Sequence, residues 1–250
     1  MGLGLLATAA LLYAAACVVL WAFQRALIYH PQPALVAVPH LRLPVAGAEL
    51  QISVRERSGA KALLYFGGNA EDVSGTYADL AKWFPGHALY LMHYRGYGSS
   101  TGEPSEAALH ADAQALLALV ARSHADITVM GRSLGSGVAV RLASAQPSTK
   151  HLILVTPYDS ITAVAAAQLP WLPVRWLLTD TFDSAALAAG LKMPVVVIAA
   201  ERDAVIGRAH TQALLEKLPR GAVRYVEVPG RGHNDLQLSP AYAAALAATQ

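Results

Sequence analysis

The chain has 250 residues, 54% of them apolar, with 19 basic and 17 acidic side chains and a net charge of +2. Without a basic block it lacks the electrostatic footprint of a nucleic-acid binder, and its single cysteine, Cys17, excludes a disulfide framework and a cysteine-rich metal site. This length, with no internal repeat, fits one large domain rather than two.

Residues 3 to 23 carry no charged side chain, and a helix of that length rises roughly 31 Å, close to the hydrocarbon thickness of a bilayer. Trp21, Arg25 and Tyr29 follow in the order expected where a helix meets headgroups. No basic residue precedes the run, and it is longer than a typical signal-peptide core, so the reading is a membrane anchor over residues 1–25. One nearby charge, Arg25, leaves the membrane side of the domain open. Pro31, Pro33 and Pro39 stop the helix and predict a semi-rigid spacer over 26–40, with the globular domain following over 41–250.

Alternating segments at 41–45 and 49–55 predict an antiparallel pair at a sheet edge. Short apolar runs then recur at 62–66, 88–93, 127–130, 151–155, 195–200 and 223–228, as strands buried on both faces should read. Helical patterns lie near 73–84, 105–123, 137–146, 208–218 and 235–248. This alternation predicts an α/β fold, a mostly parallel sheet with helices on both faces. In such sheets, function gathers in loops at the carboxyl ends of the strands.

One such end carries Gly131-Arg132-Ser133-Leu134-Gly135-Ser136-Gly137. A strand that passes through Gly-x-Ser-x-Gly straight into a helix holds its serine on a sharp, strained turn, and the glycines let strand and helix approach closely. Ser133 is the candidate nucleophile. Upstream, Gly67-Gly68-Asn69-Ala70-Glu71-Asp72 follows another strand and can turn backbone N–H groups toward a common point. An oxyanion hole pairs one such N–H with that of the residue after the nucleophile, which nominates the amides of Asn69 and Leu134. The plainer reading is a glycine-rich turn with Asp72 capping the next helix. The loop Tyr94 to Pro104 matches no phosphate cradle and reads as a buttress, with Arg95 holding a carboxylate or a carbonyl.

A serine nucleophile requires a base, and the base an orienting acid. Asp203 follows the strand at 195–200 and His233 follows the strand at 223–228, so the order Ser133, Asp203, His233 is that of a hydrolytic triad. Asp159 competes for the acid's place but reads better as a helix cap. The other eight histidines read as ordinary loop, helix or strand residues, and Glu201 should point away from Asp203. Between two core strands, Leu169 to Leu178 contains Trp171 and Trp176, candidates for a substrate pocket or lid, with a satellite core as the alternative use.

With these residues in view, the chain resembles the α/β-hydrolase superfamily, and within it the membrane-anchored branch that includes Bem46-like proteins and relatives of depalmitoylating thioesterases. The likeness rests on Gly-Asn-Ala at 68–70, Tyr-Arg-Gly-Tyr-Gly at 94–98, the serine motif at 131–137 and Gly-His-Asn-Asp at 232–235. It implies a serine hydrolase that uses Ser133, Asp203 and His233 and needs no cofactor or metal. Two positions depart from the pattern. Gly67 stands where relatives commonly have histidine, and Gly207 where proline is common, so the bracing of the oxyanion loop and the rigidity of the acid's loop become questions for the structure. The function expected is cleavage of acyl esters or thioesters of a small-molecule or lipid-like substrate at a membrane. A serine peptidase on the same triad and a non-catalytic binding module are the alternatives.

Overall fold

The computed structural model describes residues 2–146 and 148–249. Eight strands form one sheet: β1 (His40–Val45), β2 (Ala48–Arg55), β3 (Lys61–Phe66), β4 (Ala88–Met92), β5 (Asp126–Arg132), β6 (Thr149–Val155), β7 (Val195–Ala200) and β8 (Val223–Val228). Their order across the sheet is β1-β2-β4-β3-β5-β6-β7-β8. β1 and β2 are antiparallel to their neighbours, and β3 to β8 run parallel. Each predicted strand is present, with ends shifted by a residue or two.

Side chains alternate across the parallel strands, so each strand feeds two cores. Leu64, Val129, Leu154 and Val197 face one side, against α3 (Glu106–Val120), α4 (Leu134–Ala145) and α8 (Arg208–Leu215). Leu63, Met130, Ile153 and Ile198 face the other, against α2 (Val73–Trp83) and α9 (Pro240–Ala247). These strands lack polar alternation because both faces are dry.

Several helix ends follow from local chemistry. Asp72 caps α2, its carboxylate accepting from Ser74 N–H. Ser105 caps α3 in the same way. The helix expected at 137–146 begins earlier, at Leu134, immediately after the serine. The one expected over 235–248 is divided into a 3₁₀ turn, Leu236–Leu238, and α9, because Pro240 has no N–H to continue a helix and starts a new one capped by Ser239. The insertion after β6 holds three short helices, α5 (Ile161–Gln168), α6 (Val174–Leu177) and α7 (Ser184–Ala188).

The N-terminal helix α1 spans Gly2–Ile28 and is long and apolar enough to cross a membrane. It continues past the expected end at residue 25, because its last turns are held by the domain. Leu20, Gln24 and Ile28 are buried there. The proline-containing stretch that follows is also docked instead of standing off as a spacer. His30 N–H donates to Asn69 O, Gly98 N–H to Gln32 O, Leu35 N–H to Asp72 and Val36 N–H to Ser74 Oγ. Prolines that cannot join a sheet leave an extended strap whose remaining amides find partners on neighbouring loops.

Candidate active site

Ser133 sits between β5 and α4 with φ 51° and ψ −119°, a conformation that costs a non-glycine residue energy and is held by its surroundings. Its N–H donates to Val155 O at 2.9 Å, and its carbonyl accepts from Ser136 N–H and Ser136 Oγ. The motif's glycines are required by close approach. A Cβ at Gly135 would lie 2.0 Å from Phe66 O, one at Gly131 2.2 Å from Gly135 O, and one at Gly137 2.5 Å from Tyr158 Oη. The helix therefore rests directly on strand β3, which tips the serine upward.

His233 comes from the loop after β8, and its Nε2 lies 3.0 Å from Ser133 Oγ. Its Nδ1 lies 2.8 Å from Asp203 Oδ2. A carboxylate accepts only, so Nδ1 carries the proton and Nε2 is free to accept the serine's. Ser133 and His233 are 7% and 8% exposed, at the floor of a cleft. Asp203 Oδ1 also accepts from Val205 N–H at 2.9 Å and Ile206 N–H at 2.8 Å. These bonds brace the acid's loop from within. Gly207 in turn has φ −54°, an angle proline shares, so the departure there does not open the turn.

Asp159 is not beside His233. Its carboxylate bonds His210 Nδ1 at 2.9 Å, and the cap of α5 expected from it is supplied by Ser160. His210, read as an ordinary helix residue, is half of this second pair. Glu201 points elsewhere, accepting from Gly230 N–H at the turn into the histidine loop.

Asn69 and Leu134 line the same cavity as Ser133. Leu134 is the first residue of α4, so its N–H has no partner within the helix, and no loop carbonyl takes either amide among the described residues. The loop's carbonyls are held from behind: Tyr94 Oη donates to Gly67 O at 2.7 Å, and Tyr97 Oη to Asn69 O at 2.5 Å. The tyrosines of the Tyr-Arg-Gly-Tyr-Gly loop are thus the buttress. At Gly67 a Cβ would meet Val73 Cγ1 at 2.6 Å, so a side chain there would have to displace Val73. Arg95 pairs with both oxygens of Asp112 at 2.8 and 2.9 Å and donates to Ala46 O, remote from the reacting atoms.

A mostly buried ion pair links the loops behind Ser133 and His233. Glu71 accepts from Gly68 N–H at 2.8 Å, Tyr65 Oη at 2.7 Å, Thr76 Oγ1 at 2.8 Å and Arg132 Nη1 at 2.9 Å. Arg132 Nη2 reaches His233 O at 3.1 Å and Asn234 Oδ1 at 3.0 Å. Burial pushes the Glu71 carboxyl up, but the Arg132 charge and three neutral donors outweigh it and leave it below its ordinary value. Sequence reading passed over both residues, although Arg132 adjoins a motif glycine and Glu71 lies three residues after Gly68.

The cavity above Ser133 measures about 370 Å³ and is mainly apolar, with Tyr158, Ile161, Val164, Leu169, Leu178 and Ile206 in its walls. Among the described residues no charged side chain lines it. Trp171 and Trp176 do not line it either. They project outward, 61% and 87% exposed, and join no core, because smaller neighbours in the same segment fill the inward positions. Among the described residues no group of histidine, cysteine, aspartate and glutamate is placed to hold a metal ion.

Comparison with known proteins agrees with this architecture. The family described as "Serine aminopeptidase, S33" matches residues 59–190. The chain is 37% identical to the uncharacterised Mycobacterium tuberculosis protein Rv2307c, over 94% of this chain and 89% of that protein. It is 33% identical to the mouse alpha/beta hydrolase domain-containing protein 17C, over 74% of this chain and 58% of that one. Among solved structures, the Pyrococcus furiosus esterase Pf2001 superposes with a TM-score of 0.68 at 16% identity, covering 88% of this chain and 98% of the esterase. That level of identity speaks to the fold alone.

Proposed function

The chain belongs to the α/β-hydrolase superfamily, and from that premise we propose that it is a membrane-anchored serine hydrolase cleaving acyl esters or thioesters. The carrying observation is the relay Ser133 Oγ to His233 Nε2 at 3.0 Å and His233 Nδ1 to Asp203 Oδ2 at 2.8 Å, opening into an apolar cavity. In the proposed cycle Ser133 attacks the acyl carbon while His233 takes its proton and Asp203 steadies the imidazolium. The amides of Asn69 and Leu134 hold the oxyanion. Collapse breaks the bond to the alcohol or thiol, which leaves with the proton from His233. A water activated by the same histidine then frees the acid and restores the serine.

A serine peptidase is the second reading, favoured by the description of the matching family. An aminopeptidase needs a carboxylate to receive the substrate's ammonium group, and the cavity wall offers none. That favours the acyl substrate. Retention of α1 supports the domain, since removing the helix would take Arg25 from the Asp180 carboxylate and Gln24 from Thr179 and Leu177.

The test is labelling of the full chain with a fluorophosphonate, followed by parallel assays of acyl thioesters and aminoacyl amides. Labelling at Ser133 with thioester turnover is the expected result. A folded protein left unlabelled would sink the enzyme reading and leave a binding module.

A further inference from the structure

Leu20, Gln24, Leu27 and Ile28, all in α1, contribute a wall to the cavity that holds Ser133. Their spacing of four, three and one places them on a single helix face. That face is locked to the insertion after β6. Gln24, 4% exposed, donates through Nε2 to Leu177 O at 3.2 Å and accepts through Oε1 from Thr179 N–H at 2.6 Å and Thr179 Oγ1 at 2.9 Å. One turn on, Tyr29 Oη donates to Asp180 at 2.8 Å, and Arg25 Nε lies 3.3 Å from the same oxygen. Gln24 Nε2 also donates to Trp21 O within α1, so the insertion takes three of the four bonds of this buried glutamine, which fixes the helix in place more than apolar contact does.

The stretch of α1 before Leu20 is largely exposed. At ~1.5 Å per residue it rises roughly 27 Å, about the thickness of a bilayer's hydrocarbon layer. With the strap docked on the domain, no free length remains to lift the domain off the surface. The cavity mouth would then lie at the bilayer boundary. Leu27 lines the cavity and is 60% exposed. Trp21 and Phe23 on the same helix are exposed too, and so is Trp176 on α6, which packs against α1. Exposed aromatic and aliphatic side chains at that level suit the boundary between headgroups and acyl chains.

Resting on the readings of Ser133 as nucleophile and α1 as anchor, we propose that the anchor helix is part of the substrate site. Its last turns form one wall of the acyl pocket, and the chain that enters is a long acyl chain already lying in the bilayer. It slides in beside Leu27 without crossing water. Membrane anchoring and substrate recognition are therefore done by one helix.

The experiment uses the full chain in phosphatidylcholine vesicles and a dodecyl fluorophosphonate bearing a diazirine at the far end of its chain. Ser133 Oγ displaces fluoride from phosphorus, its proton passing to His233, and irradiation then joins the chain's end to its neighbours. Crosslinks to peptides containing residues 20–28 are expected. Crosslinks that omit α1 overturn the proposal, whereas failure to phosphonylate Ser133 in folded protein overturns the hydrolase reading beneath it. As a second measurement, Leu20→Trp should lower the dodecanoyl-to-butyryl ratio of kcat/KM about tenfold, the effect of losing roughly two buried methylenes; an unchanged ratio counts against the wall. Release of dodecanoate from a vesicle-borne monoacylglycerol or from an S-acylated peptide identifies the carrier, and cleavage of neither refutes the bilayer-borne chain.

Discussion

Replacing Arg132 by glutamine isolates the connection between the 67–72 loop and the histidine loop. The wild-type guanidinium and the Glu71 carboxylate lie 2.9 Å apart with side chains 19% and 10% exposed. Removing one partner of such a pair leaves a buried charge unopposed and costs about 3–5 kcal/mol. For a protein of this size that corresponds to a fall in Tm of roughly 6–20 °C. The sign of the pH dependence follows. In the wild type, Glu71 sits below its ordinary value of 4.5, so the pair's stabilisation is present above that pH and lost as pH falls through the folded value. In Arg132→Gln, burial acts on Glu71 with no countercharge and raises it, so the carboxyl is most destabilising at neutral pH and is relieved by protonation. The difference in Tm between variant and wild type should therefore shrink from pH 7.5 to pH 5. Glu71→Gln in the same background should recover part of the loss, since it removes the stranded charge. Thermal denaturation of the three proteins at both pH values checks this. A gap that is the same at both, or a double variant no better than the single, would refute the electrostatic argument. Because Arg132 also holds His233 O and Asn234, kcat/KM should fall about ten- to a hundredfold, as expected for misplacement of a reacting group.

Asp203→Asn should cut kcat by roughly four orders of magnitude, because an amide facing Nδ1 favours the wrong tautomer; a loss under tenfold in a turnover assay would remove Asp203 from the relay. Gly135→Ala places a Cβ 2.0 Å from the Phe66 carbonyl, and backbone cannot yield as a side chain end can. It should cost 3 kcal/mol or more, roughly the upper end for overpacking, and a denaturation midpoint within error of wild type would contradict the packing. His87 and His93 are buried and His110 is half-buried, and desolvation is the main cause that holds each down at about 4, outweighing the opposing pull of Asp72 on His93. Their ordinary value of 6.5 lies higher, so the unfolded chain takes up protons first and stability should decline as pH falls from about 6.5 to about 4. His93→Gln should flatten that decline in denaturant titrations, and an unaltered slope would show that His93 does not contribute to it.

The sheet was readable because its signal is local. Runs such as Ala62 to Phe66 and Val195 to Ala200 are apolar throughout, and strands buried on two faces have no other composition available. Ser133, Asp203 and His233 were readable because each follows a strand, and a parallel sheet gathers such ends on one edge. What the sequence did not disclose depends on meetings far apart in the chain. Gln24 looks like the ragged end of an apolar helix until Thr179 meets it, 155 residues later. Arg132 looks like a variable letter within Gly-x-Ser-x-Gly until Glu71 closes on it. Composition left the use of Trp171 and Trp176 open, because which way a large aromatic residue turns depends on neighbours the sequence does not show; here both face out and neither lines the cavity. The docking of residues 30–36 was hidden by their prolines, since a chain without regular hydrogen bonding reads as loose whether or not its amides find partners elsewhere.

That strap also transmits force. His30, the second residue beyond α1, hydrogen-bonds through its N–H to both Asn69 O and Tyr97 Oη, the atoms that set the attitude of the Asn69 amide. With α1 anchored as proposed, tension or curvature in the bilayer that tilts the helix pulls on the loop beside Ser133 before it reaches the sheet. A derivative lacking the first forty residues would carry a 67–72 loop without its bonds to His30, and its turnover would differ from that of the full chain.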